Sequence, residues 1–344
     1  MNMILTYLHD NWDRLHLDQV SPTRQLSTVM ITPRFRASSH VVCLLMPRGR
    51  PEPVLVAKVP RLAGPSASVS REVANLRAVQ ASRPAGFTSI PHIIAFDEYA
   101  SRQFLLETAL VGKPMDPPAV RSEPERCCQA VTTWLGDLHE ATQRPSHTEP
   151  DWFENLVAGP IQRFANLFPL TPEEMEWLTK TQDLVAPLRK AGLPLVFEHG
   201  DLSHPNVMWL GDGQPGIVDW ELAAPQGLPG YDMFFFLNYV AFAKHHTRTS
   251  GNYLPAFREA FFGETAWAVP YIKSYAQRLP LPAETLAPIF VFTWLRYTIS
   301  LLGRLDEAPG SSGEIGVETA AWLRQNRYYQ LWREAITHTH ELRW

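Results

Sequence analysis

The chain has 344 residues, more than a usual single domain, so two lobes or domains are expected. Hydrophobic residues make up 45% of it and aromatic residues 11%, which excludes a disordered chain and allows a large core. A formal net charge of -4 argues against a general nucleic-acid binder, which would be basic, but leaves room for a local groove for phosphates.

Residues 1–18 have the pattern of a short amphipathic helix. The β-rich runs 26–32 and 40–46, joined by Pro33-Arg34-Phe35-Arg36-Ala37-Ser38-Ser39, and a third run at 53–59 predict an antiparallel meander. Ser68 or Ser70 is expected to cap a helix over about 69–82, with Val73, Leu76 and Val79 on one face. Strands follow near 92–97 and 103–108, and Gly112, Pro114, Pro117 and Pro118 end the β-rich part. Helical segments are predicted at 119–141, 151–167, 172–190, 231–246, 252–261, 265–278, 283–304 and 316–338. Only 194–220 departs from that trend, with short strand-like runs flanking polar loops. The whole is an α+β plan, a small antiparallel-sheet lobe over 1–110 followed by a larger, mainly helical lobe over 111–344.

Two apolar runs call for a membrane check. Residues 231–243 are too short to span, and 286–302 carry Arg296 in mid-run, so both read as buried helices. The N-terminus has no basic region and meets Asp10 at once, which is unlike a signal peptide. Cys43, Cys127 and Cys128 form neither a disulfide framework nor a zinc pattern. A reducing, cytoplasmic setting is expected. His338 and His340 form a short histidine tract without carboxylate partners and are not expected to bind metal.

The chemistry gathers in His199-Gly200-Asp201-Leu202-Ser203-His204-Pro205-Asn206 and Gly216-Ile217-Val218-Asp219-Trp220-Glu221. Phosphoryl transfer asks a protein mainly to position groups and neutralise phosphate charge. One carboxylate must orient the attacking hydroxyl and accept its proton. A second carboxylate and an amide oxygen must hold a hard divalent cation, and Mg²⁺ keeps several waters, so few protein ligands suffice. Asp201, Asp219 and Asn206 supply those groups.

These residues resemble the aminoglycoside phosphotransferase and choline kinase family, a branch of the protein-kinase-like fold. That family carries H-G-D-x-x-x-x-N, then an apolar run ending in D-[WFY]-E, and residues 199–206 and 217–221 match at each key position. Three further segments agree. Val56-Ala57-Lys58-Val59 stands where such kinases place a lysine on the third strand, and Glu72, early in the next helix, where they place its carboxylate partner. Leu105-Leu106-Glu107-Thr108-Ala109-Leu110 resembles the hinge whose backbone, here about Glu107 to Leu110, binds the nucleotide base. Trp134-Leu135-Gly136-Asp137-Leu138-His139 resembles the helix that precedes the catalytic loop, so the likeness spans about residues 25–240.

The resemblance implies a bilobal small-molecule kinase. It would move the γ-phosphoryl group of ATP or GTP to a hydroxyl of a sugar, amino alcohol or aminoglycoside-like acceptor. Asp201 would be the base, Asn206 and Asp219 would hold Mg²⁺, and Lys58 would touch the phosphates, braced by Glu72. The phosphate loop departs from the pattern, since it has no glycine; Ser38 and Ser39 would bind phosphate there, with Arg34 or Arg36 adding charge. That departure is the one feature favouring a catalytically silent nucleotide-binding scaffold. A metal hydrolase on His199, Asp201 and Asp219 lacks further histidine ligands. His199 is expected to pack and tie down the catalytic loop, His204 to fill a variable position, and Asp232 to cap the next helix and brace the loop. Glu221 reads equally as a surface charge or a positioning group. Trp267, Tyr271, Tyr275, Phe292, Trp294 and Tyr297 read mostly as helical core, with a few available to line a pocket. No D-F-G, A-P-E or activation segment follows Asp219, which disfavours a protein substrate. No nucleic acid, membrane span or obligatory protein partner is implied.

Overall fold

The computed structural model describes residues 3–32, 40–306 and 315–344. Ser38 and Ser39, with Arg34 and Arg36, lie outside the described residues. In chain order the elements begin with α1 (Met3–Asn11), β1 (Leu26–Ile31), β2 (His40–Pro47), β3 (Leu55–Pro60), α2 (Ala67–Gln80), β4 (Ile93–Tyr99), β5 (Arg102–Thr108) and β6 (Gly112–Pro114). Next come α3 (Pro117–Ser122), α4 (Pro124–Thr142), β7 (Arg144–Pro145), α5 (Gly159–Leu167), α6 (Pro172–Val185), β8 (Pro194–Glu198), β9 (Val207–Leu210), β10 (Pro215–Ile217) and β11 (Ala224–Gly227). The chain closes with α7 (Tyr231–Lys244), α8 (Thr247–Ser250), α9 (Tyr253–Phe261), α10 (Val269–Arg278), α11 (Ala283–Asp306), α12 (Val317–Gln325) and α13 (Arg327–Thr337). They sort into two compact units, Met1–Met115 with Pro205–Pro225, and Asp116–His204 with Gln226–Trp344.

In the first unit five antiparallel strands run in the order β1-β2-β3-β5-β4. Side chains alternate between the two faces of a strand, so Cys43, Leu45, Leu55, Ala57, Phe104 and Leu106 share one face. The apolar side of α1 (Ile4, Tyr7, Leu8), together with Trp12, packs on it to form a core. Each large apolar side chain fully buried there contributes roughly 1.5–3 kcal/mol. The same alternation turns Lys58 and Glu107 to the opposite face, where the register pairs Lys58 with Leu105 and Val56 with Glu107. The helix α2 starts at Ser66, whose hydroxyl accepts from Val69 N–H, and not at the expected Ser68 or Ser70. Residues after Ser66 already have helical geometry, and a cap must sit just outside the first turn.

The segment Pro205–Pro225 belongs with this unit because its backbone is bonded into it. β9 pairs with β6 and β10, and the Asn75 amide on α2 donates to the carbonyls of Trp220 and Ala223, each at 2.9 Å. Gly112 permits the β6–β9 approach, since a Cβ there would stand 2.1 Å from the Trp209 carbonyl oxygen. A boundary drawn by sequence position at residue 110 puts 205–225 with the helices; these long-range bonds put it with the sheet.

The second unit is helical, with a short ladder between β7 and β8. Helix α7 is apolar on all sides and buried from Tyr231 to Asn238, as a central core helix must be. Around it Phe234, Phe257, Phe261, Phe290 and Trp294 interlock, with ring centroids 4.9–6.5 Å apart. Among the described residues one stretch, Ala283–Gly303 of α11, is long and apolar enough to cross a membrane, but 72% of its most apolar 18-residue window is buried within the protein. Its Arg296 donates to Glu198 at 2.7 Å. Two of the expected helices are each divided. Glu123 stands before Pro124, which disfavours helical geometry, and it separates α3 from α4. Asn326 ends α12 and caps α13 through its side chain, which accepts from Tyr328 N–H.

Candidate active site

On the face of the first unit's sheet opposite α1, Lys58 is 4% exposed. Its ammonium donates to Glu72 Oε1 at 2.5 Å and to Asp219 Oδ1 at 3.2 Å. Burial alone would lower the Lys58 pKa, but the carboxylates of Asp219, Glu72 and Glu107 outweigh it and hold the pKa well above the usual value. Glu72 Oε1 also accepts the Trp220 backbone N–H at 3.0 Å, so α2 fixes the lysine and the chain just beyond Asp219 with one atom. Trp220 is fully buried, its indole N–H bonded to the Ile217 carbonyl at 3.1 Å. Arg71 donates to the Glu221 carbonyl at 2.9 Å.

Asp219 itself sits at φ 70°, a left-handed conformation that side-chain-bearing residues adopt at some cost. Its carboxylate is 39% exposed. Val218 N–H donates to the Asn206 carbonyl at 3.0 Å, which sets Asn206 beside the strand end that carries Asp219. A carboxylate and an amide, both hard oxygen donors and partly exposed, suit an ion that keeps its waters and binds phosphate oxygens, as Mg²⁺ does. Among the described residues no group of three or more His, Cys, Asp or Glu is placed to cage a metal.

Glu107 adds a feature the sequence reading did not assign, having used only its backbone. The side chain is 3% exposed, burial pushes its carboxyl up to about 8, and its Oε2 has no hydrogen-bond partner among the described residues. Strand alternation from Lys58 was the available signal. In the expected hinge, Thr108 N–H already donates to the His92 carbonyl and Ala109 N–H to the Val54 carbonyl. Leu110 packs by Gly216, where a Cβ would come within 2.9 Å of Leu110 Cδ1. Glu221 is raised to about 7 by burial and by Asp219, and its Oε2 lies 3.9 Å from His40 Nδ1. His40 is held below its usual pKa by burial and by Lys58.

In the second unit, Asp201 follows β8 in a loop held by its own backbone. Asp201 N–H donates to His199 Nδ1 at 3.3 Å, and His199 is fully buried, as expected of a packing residue. Asp232 accepts the N–H of His199 at 2.6 Å and of Gly200 at 2.9 Å. Of the two expectations for Asp232, the brace on the loop holds and the helix cap does not: Gly230 occupies the cap position of α7 without a side-chain bond, and the carboxylate satisfies the two buried donors of the loop. Tyr297 OH reaches Asp201 Oδ1 at 3.4 Å. Tyr275, by contrast, is core: its hydroxyl meets His139 Nδ1 at 2.5 Å and accepts from Gly230 N–H at 3.0 Å. His204 is buried with its ring edge-on to Tyr239, centroids 5.8 Å apart.

The comparisons with known proteins bear on this arrangement. The profile of the phosphotransferase enzyme family matches residues 42–271. No curated protein sequence matches. Among solved structures, the chain is similar to an ethanolamine kinase of Plasmodium vivax, with TM-score 0.55, 10% identity, and 97% of this chain and 92% of that one covered. A choline kinase, LicA, from Streptococcus pneumoniae gives TM-score 0.54 at 12% identity, covering 95% and 99%. The GDP and kanamycin complex of an APH(2") enzyme gives TM-score 0.56 at 15% identity, covering 96% and 99%. At these identities the likeness establishes the fold, an α+β, two-lobed kinase-like one. The family profile runs from the strand before Lys58 past Asp201, Asn206, Asp219 and Asp232, and by that match the chain belongs to the phosphotransferase enzyme family.

Proposed function

We propose that the protein is a small-molecule kinase that transfers the γ-phosphoryl group of ATP or GTP to a hydroxyl of a sugar, amino alcohol or aminoglycoside-like acceptor. The observation that carries this reading is the buried lysine shared by Glu72 and Asp219, an arrangement that readies a cation for phosphate and a carboxylate for metal. Lys58 neutralises phosphate charge, and Glu72 holds it in place. Asn206 and Asp219 hold Mg²⁺, which when bound offsets charge on the transferring phosphoryl group. Asp201 orients the acceptor hydroxyl and takes its proton. The hinge stretch Glu107 to Leu110 borders the base, and Ser38 and Ser39 meet the phosphates. The bond from phosphorus to the bridging oxygen of the nucleotide breaks as the acceptor oxygen bonds to phosphorus, leaving a nucleoside diphosphate and a phosphate ester. Three free, buried cysteines agree with a reducing, cytoplasmic setting.

The test is a coupled assay of nucleoside diphosphate release with Mg-ATP and Mg-GTP against a panel of hydroxylated acceptors. Acceptor-dependent release that is lost in Asp201→Asn supports the reading. Absence of any metal-dependent nucleotide binding would overturn it.

A further inference from the structure

Four half-buried arginines of the second unit face carboxylates. Arg296 faces Glu198 at 2.7 Å and Arg324 faces Glu174 at 2.7 Å. Arg258 is paired with Glu334 and Glu341, and Arg278 with Asp137 and Glu140. A guanidinium taken partly out of water needs such partners, because it cannot shed its charge. Arg327, at the start of α13, has none among the described residues. Its Nη2 donates to the hydroxyls of Tyr239 at 3.2 Å and Tyr328 at 2.9 Å. The rest of the group lies over rings, 4.7 Å from the Tyr328 centroid and 5.6–5.8 Å from those of Tyr239, Phe242 and Tyr253. Nε and Nη1 make no hydrogen bond to a described residue.

This cation stands at the end of a phenolic chain that begins at Asp201. Tyr297, which reaches Asp201, packs on Tyr328 with centroids 4.1 Å apart. Tyr328 and Tyr239 share a hydroxyl–hydroxyl bond of 2.7 Å, and Phe235 stacks beneath Tyr297 and Tyr328. Tyr239 and Tyr328 are close enough to the Asp201 carboxylate for its charge to raise both phenols further, beyond the effect of their burial. So the neighbourhood of Asp201 within this unit is aromatic, rich in hydroxyls and closed by a guanidinium without a counter-ion among the described residues. A polycationic acceptor would meet repulsion there. A planar oxyanion matches the open donors of the guanidinium, which bind carboxylate or phosphate in pairs.

We propose that Arg327, with Tyr239 and Tyr328, forms a subsite for an oxyanion of the acceptor, so that the substrate is a hydroxylated acid or a phosphorylated polyol and not a polyamine sugar. The proposal rests on the kinase reading above, with Asp201 as the base for the acceptor hydroxyl. Arg327 is a specificity residue and touches no reacting atom.

Its test uses four acceptor series in the diphosphate-release assay: hydroxy acids (glycerate, gluconate), phosphorylated polyols (glycerol phosphate), neutral polyols (glycerol, glucose), and cations (choline, kanamycin). Mg-ADP affinity is measured calorimetrically on the same preparations. Transfer to an anionic series is expected, the carboxylate and phosphate arms telling which oxyanion is read. Arg327→Gln should raise KM for that acceptor about tenfold or more while kcat and Mg-ADP affinity hold. Arg327→Lys, which keeps the charge without the fork, should fall between. If Arg327→Gln fails to fold, Arg327→Lys and Tyr239→Phe carry the comparison. Transfer to a cationic or neutral acceptor with KM unmoved in the Arg327 variants overturns the proposal. So does transfer to no anionic acceptor by protein that binds Mg-ADP. Loss of Mg-ADP binding by the unaltered protein is a different failure, of the kinase reading itself, and the subsite falls with it.

Discussion

Glu72 and Trp220, 148 positions apart in the chain, are joined by a hydrogen bond of 3.0 Å from the Trp220 backbone N–H to Glu72 Oε1. Because the same oxygen holds Lys58, α2 sets the spacing between the Lys58 ammonium and the residue next to Asp219. A shift of α2 would therefore displace both groups together.

Glu72→Gln keeps an oxygen for Trp220 N–H and removes the charge facing Lys58, whereas Glu72→Ala removes both. The alanine variant should be less stable by about 3–5 kcal/mol, the usual result of breaking a buried ion pair from one side. The glutamine variant should be less affected in stability, yet weaker in kcat/KM for nucleotide. Denaturant unfolding and steady-state kinetics check the pair. Equal stability of Glu72→Ala and the unaltered protein would remove the bridging role.

Asp201→Asn should lower kcat by roughly 10²- to 10⁴-fold, the range for loss of a general base. Mg-ADP affinity should not change, because in the proposed reaction Asp201 meets only the acceptor. A parallel loss of nucleotide binding in calorimetry would reassign the residue.

Glu107 gives a pH prediction. Burial raises its folded-state pKa to about 8, above the ordinary carboxyl value of about 4.3. The folded state thus binds the proton more tightly, and this contribution to stability is complete below the unfolded pKa and lost as pH rises through about 8. In metal-free buffer, Glu107→Gln should show a flatter melting temperature across that window than the unaltered protein. At its upper end the variant should be the more stable of the two. The same pH slope in both would show that Glu107 ionises normally.

Asp232 holds the N–H groups of His199 and Gly200. Asp232→Ala leaves two buried donors without a partner and should cost about 2–6 kcal/mol, at 1–3 kcal/mol for each. Asp232→Asn offers one carbonyl oxygen and should cost less. Both should reduce kcat by loosening the loop that carries Asp201, and amide exchange at Gly200 reads that loosening directly.

The strands around Lys58 were legible because alternation and turn residues are local signals, and His199–Asn206 and Asp219 because their spacing is fixed by the loop chemistry. What escaped notice depends on distant packing. Nothing near Asn75 in the chain announces that its amide binds the carbonyls of Trp220 and Ala223, although a polar residue one turn after Glu72 on an apolar face was a hint. The brace that Asp232 gives the loop was legible through the family resemblance, whereas its neighbours also suggested a helix cap that the structure leaves to Gly230. Tyr328 and Arg327 carry no motif, since their role follows from rings contributed by α7 and α11.

The left-handed backbone of Asp219 sets steric strain against an ion pair at one codon. Glycine adopts that conformation without the steric penalty of roughly 1 kcal/mol that a side chain brings. Asp219→Gly would shed that penalty but also the carboxylate to which buried Lys58 donates at 3.2 Å, so directed evolution of this protein toward heat resistance, selected on solubility or expression, should leave the position unchanged.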